Sequence, residues 1–156
     1  MLNPPTLRLV TILVTIAWVV FLLYLGLIPD LPEAPVLEES KVAPLGHFGV
    51  HFVLASLVFV FASPGSFHFR RSLLAMTTAL TVSTILGLIV EGTQSVTEGR
   101  SAEYSDVVFN FLGAFTGSAG LFVLSLLKVN YSHISLTVSG SATALMTIGA
   151  IVLAVR

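Results

Sequence analysis

Five times along this chain, roughly 20 residues pass almost without charge, the length a helix needs to cross a hydrocarbon core about 30 Å thick. The runs cover residues 9–28, 45–62, 72–91, 106–127 and 134–155, and the third extends naturally by another turn. Pro29-Asp30 ends the first, and Ser63-Pro64-Gly65 ends the second. A bilayer offers no water to satisfy backbone N–H and C=O groups, so such runs must fold as helices. The expected architecture is therefore an all-α, polytopic membrane helix bundle with about five transmembrane helices, residues 1–156 forming one domain.

Composition agrees. Hydrophobic residues make up 55% of the chain and charged residues 10%, against about 25% charged in ordinary soluble domains. The absence of cysteine removes disulfides, thiolate metal sites and cysteine nucleophiles. A net charge of −1 gives no sign of nucleic acid. The first run exceeds a signal peptide's apolar core and lacks a small-x-small cleavage pattern before Asp30, so it reads as an uncleaved span.

Orientation follows the positive-inside rule. Placing the N-terminus in the cytoplasm puts Arg8, Arg70, Arg71 and Lys128 inside, and Lys41, Arg100 and Arg156 outside. His68, Arg70 and Arg71 then form a basic turn at cytoplasmic lipid headgroups. The loop at 30–44 and the connection between the third and fourth spans face outward.

That second connection is where charge gathers. Five of the charged side chains (Glu91, Glu98, Arg100, Glu103 and Asp106) lie in residues 91–106, between two apolar runs. Helical spacing puts Glu91, Gln94 and Ser95 on one face of the third span. Asp106, Asn110, Gly113 and Gly117 line a row on the fourth. Ionisable groups beside membrane segments usually face a bundle interior and pair with one another. Arg100, the single cation between these spans, has the planar fork to bridge Glu91 and Asp106. A structural account also exists: Ser105 as the N-cap of the fourth helix, Asp106 favoured in its first turn by the helix dipole, and Gly113-x3-Gly117 as a close-packing motif.

These residues carry a resemblance. The pattern Glu91-x2-Gln94-x5-Arg100-x5-Asp106-x3-Asn110-x2-Gly113-x3-Gly117 resembles the C-terminal signature of the VanZ-like family, small polytopic membrane proteins named after a protein associated with teicoplanin resistance. His47-Phe48 at the start of the second span resembles the family's upstream motif, so the likeness covers about residues 40–120. Two positions depart from it: Pro44 stands where a Lys is usual, and His51 where an aromatic is common. The resemblance implies a multi-pass protein of the cell membrane.

Three kinds of chemistry fit the polar set. In the first, an outward-facing cluster binds a membrane lipid, a glycopeptide or a lipid-linked cell-wall precursor. Arg100 contacts phosphate or carboxylate there, while Gln94 and Asn110 supply neutral hydrogen bonds. In the second, an intramembrane enzyme acts on a lipid-linked substrate, with His47, Glu91, Arg100 and Asp106 as candidate catalytic residues. In the third, His47-x3-His51 has metal-ligand spacing and Glu91 or Asp106 could complete a site. The pair lacks the Glu of a zincin motif, and the sequence leads us to expect neither metal nor cofactor.

Elsewhere, Trp18 lies mid-span and is expected to pack, and Tyr24 sits near a membrane interface. Ser139, Thr143 and Thr147 form a small-residue stripe on the last span, suited to helix packing or an oligomer contact.

Overall fold

A computed structural model describes residues 4–27, 39–63, 68–97, 103–129 and 131–154. Five helices follow in order: α1 (Pro4–Leu27), α2 (Glu39–Ala62), α3 (Phe69–Gln94), α4 (Tyr104–Leu126) and α5 (Tyr131–Ala154). No strand occurs among the described residues. α1 to α4 are each long and apolar enough to cross a membrane, and α5 is a further 24-residue helix. The chain is an all-helical membrane bundle.

α2 lies at its centre and packs on all four other helices. Every residue from Val53 to Val60 is buried, as expected of a helix that is apolar all round. The surrounding helices are two-faced. Leu9, Leu13, Ile16 and Val20 project outward from α1, as do Ile85, Leu88 and Ile89 from α3 and Phe111, Leu112 and Phe115 from α4. So much exposed apolar surface has a solvent in lipid but none in water.

The inward faces are built from small residues. α3 buries Ser72, Ala75, Ala79, Ser83 and Gly87 before reaching Glu91 and Gln94. α4 buries Asn110, Gly113, Ala114, Gly117 and Ser118. Lipid tails are as apolar as any side chain, so helix association in a membrane depends on close backbone approach and interhelical hydrogen bonds. Gly113 and Gly117 supply the approach. A Cβ at Gly113 would run into the Phe48 carbonyl oxygen, and one at Gly117 into that of Phe52.

Two cross-helix hydrogen bonds anchor the periphery. Thr11 Oγ1 and Ser135 Oγ are 2.9 Å apart between α1 and α5. Trp18, only 1% exposed, donates from Nε1 to the Val50 carbonyl at 3.2 Å. Packing was the expectation for Trp18; the hydrogen bond adds a directional tie. Trp18→Phe removes that bond and part of the ring volume, and should cost about 1–2 kcal/mol. Thermal melts in detergent, followed by circular dichroism because Trp18 is the only tryptophan, check this.

Several boundaries differ from expectation. α2 begins at Glu39, so the stretch expected as a loop to Pro44 is helical from residue 39, with Pro44 inside the helix. As the sixth residue of α2, Pro44 lies past the first turn, so it has no N–H to give the carbonyl four residues back and α2 forgoes one intrahelical hydrogen bond there. Ser105 is not the N-cap of α4: Glu103 is, in extended conformation, and the Ser105 hydroxyl donates to Glu103 Oε2 at 3.1 Å. Asp106 is in the first turn, as expected. Ser95 is exposed, bonding back to the Gly92 carbonyl, and does not join Glu91 and Gln94. The α5 stripe divides: Ser139 is buried beside Ser135 and Ala142, while Thr143 and Thr147 face outward. Tyr24 is 55% exposed.

Candidate functional site

The antiparallel course of α2, α3 and α4 brings the start of α2, the end of α3 and the start of α4 to one end of the bundle. His47 comes from the first, Glu91 and Gln94 from the second, Asp106 and Asn110 from the third. Their meeting depends on the small-residue faces behind them. At Gly87, one turn before Glu91, a Cβ would come within 3.0 Å of His51 Cε1 and 3.1 Å of Asn110 Nδ2. A larger residue would wedge α3 away from both.

His47 is the hub. Its Nδ1 lies 3.1 Å from Asn110 Oδ1, a hydrogen bond with the ring N–H as donor. The same nitrogen is 3.5 Å from Glu91 Oε1, and Nε2 is 3.5 Å from Asp106 Oδ2. An imidazole therefore sits between two carboxylates, with a buried amide fixing its orientation. Exposure falls steadily inward: the side chains of His47, Asp106 and Glu91 are 24%, 14% and 5% exposed. The cluster opens on its His47 side and closes over Glu91. Gln94 is buried one turn beyond Glu91 on the same face.

His51 does not take part. It is buried one turn deeper and its Nδ1 lies 3.0 Å from Ser83 Oγ. The i, i+4 histidine pair that the sequence offers as metal ligands is thus split between two partners. What replaces it is a different set: one ligand atom from each of His47, Glu91 and Asp106, all within 4.8 Å of one another. Arg100, expected to bridge Glu91 and Asp106, lies outside the described residues.

The sequence matches the family model described as VanZ/LLP1 over residues 9–127, about three quarters of the chain. This chain belongs to the VanZ/LLP1 family. The match takes in α1 as well as the polar motifs, so the first span, supported in the sequence by hydropathy alone, is part of the family's shared region. α5 lies beyond it. No curated protein and no solved structure matches this VanZ/LLP1 chain.

Two contributors escaped the sequence reading. Ser83 and Gly87 lie on the line of small residues that leads along α3 to Glu91. Their three-to-four-residue recurrence from Ser72 onward is a visible signal: in an apolar helix such a stripe marks the face that meets its neighbours.

Proposed function

We propose that this protein acts in the cell envelope by binding the polar head of a lipid-linked cell-wall precursor, and thereby contributes to resistance against teicoplanin-type glycopeptides. The observation that carries this reading is the convergence of His47, Glu91, Asp106 and Asn110 from three helices at one end of an otherwise apolar bundle. Nothing in packing alone calls for it. Intramembrane polar sets of this kind are costly and generally functional. Carboxylates and the imidazole can engage the hydroxyl, amide and amine groups of a sugar–peptide head. Arg100 is assigned to its phosphate or carboxylate.

An apolar cleft supports a lipid-bearing ligand. A space of about 480 Å³ opens between α4 and α5, floored by α2 and lined by Phe52, Ser56, Gly117, Gly120, Leu124 and Val138. In the orientation given by the positive-inside rule the polar cluster faces outward, where cell-wall precursors and glycopeptides meet the membrane.

Turnover of the same ligand is the second reading. An imidazole with a carboxylate near each ring nitrogen is equipped for proton transfer. Binding predicts saturable uptake of a labelled precursor with no change in its mass; an enzyme predicts a new product.

The deciding experiment expresses the protein, Glu91→Gln or Arg100→Ala in a glycopeptide-sensitive bacterium and measures susceptibility beside membrane level. Wild type is expected to raise the inhibitory concentration of teicoplanin several-fold, and each variant to lose the gain at equal membrane level. Absence of protection by wild type refutes the resistance role.

A further inference from the structure

We infer that His47, Glu91 and Asp106 form a binding site for one divalent first-row transition-metal ion of the zinc or manganese type. The proposal goes beyond the ligand assigned above and stands without it.

The first support is geometric. Three residues from three helices each place a ligand atom within 4.8 Å of the other two. His47 Nε2 lies 3.5 Å from Asp106 Oδ2, while Glu91 Oε1 lies 3.5 Å from the other ring nitrogen, Nδ1. Neighbouring ligands on a metal at bond lengths of about 2.0–2.2 Å stand roughly 3–3.5 Å apart, so Nε2 and Asp106 already have ligand spacing, and the Glu91 carboxylate must turn toward Nε2 to complete the set.

The second support is the orientation of the ring. A histidine that ligates through one nitrogen almost always donates the other N–H to a fixed acceptor, which sets the tautomer and aims the lone pair. Asn110 is 2% exposed, and its Oδ1 is 3.1 Å from His47 Nδ1. With Nδ1–H held there, the Nε2 lone pair points to the Asp106 side. An asparagine buried among glycines and alanines of α4 has this one evident task.

The third is ligand chemistry. Two carboxylates and an imidazole are the donor types that a divalent transition-metal ion takes, and a divalent ion carries the charge that carboxylates attract. The imidazole selects against magnesium and calcium, which take oxygen ligands. His47 and Asp106 are the more exposed members, so an ion has an entry from the end of the bundle.

The rival source of positive charge is Arg100, and the test separates the two. The full chain is purified in detergent, stripped with a chelator and titrated with cobalt while its visible absorption is recorded, then with zinc as competitor. Wild type should take up about one ion per chain, with cobalt bands that zinc abolishes. Asp106→Asn and His47→Gln should lose the bands, and Asn110→Leu should weaken binding by about 10–100-fold, as loss of a supporting partner does. Helix content measured on the stripped proteins identifies any variant that misfolds, and the wild-type titration needs no variant. Wild type that binds no cobalt or zinc at micromolar concentration overturns the proposal. So does unchanged binding by both folded ligand variants, or binding that appears only in Arg100→Ala.

Discussion

Gly113→Ala should strip the membrane of folded protein, while Gly120→Ala, on the same helix, should leave it intact. The two changes add the same methyl group to the same helix, so propensity cannot separate them. At Gly113 the new Cβ would fall on the Phe48 carbonyl oxygen and within 2.9 Å and 3.0 Å of that residue's C and Cα. Those are backbone atoms of the central helix and cannot rotate away. Relief requires α4 to part from α2, which opens the contact that also seats Gly117 against Phe52 and Ala114 in the core. Overpacking usually costs about 1–3 kcal/mol when side chains can yield; here none is available to yield, and the upper end or beyond is expected. At Gly120 a Cβ meets nothing within 4 Å. That change should be neutral, or stabilising by up to about 1 kcal/mol, because alanine is the better helix former. Detergent-solubilised folded protein, measured by size exclusion and by melting temperature, reads both. Equal yields for the two variants would mean that α2 and α4 are not in the contact described.

The fold was largely legible because the bilayer reduces the problem to segment length and polarity. Each of the five apolar runs appears as a helix, and the end of α3 falls at Gln94, within the extra turn expected. Spacing within a helix was equally readable: Asn110, Gly113 and Gly117 share one buried row because their separations are one turn each. The errors lie where local preference competes with tertiary contact. Ser105 has the side chain of a good N-cap, yet the cap falls two residues earlier, at Glu103, and the Ser105 hydroxyl turns to that residue. The partner of His51 could not be read at all: spacing places it one turn from His47, and only the rotation of α3 presents Ser83 to it. Which partners face one another across helices is set by rotation and depth of the neighbouring helix. A single sequence carries that only through its small-residue stripes.

His47→Gln and Asp106→Asn should abolish glycopeptide protection while scarcely altering stability, and magnitude is what makes the pair informative. If the cluster only holds helices together, its worth can be bounded. The His47–Asp106 contact is 3.5 Å long between partly exposed side chains, the kind of pair that contributes about 0–1 kcal/mol. Asp106 also lies in the first turn of α4, where a negative charge gains about 0.3–1 kcal/mol from the helix dipole. Asparagine keeps the shape and part of the hydrogen bonding, so Asp106→Asn should cost at most about 2 kcal/mol. Losses of that size leave most molecules folded in a domain of ordinary stability, about 5–15 kcal/mol. A functional site behaves differently, because removing one member of a cooperating set removes the activity. The double variant should then be no worse than either single one, since both act through the same contact. Protection that declines only in proportion to folded protein would assign the cluster to stability. Full loss at undiminished membrane level, with no further loss in the double variant, would establish that the imidazole and the carboxylate work as one unit, as their convergence from two different helices implies.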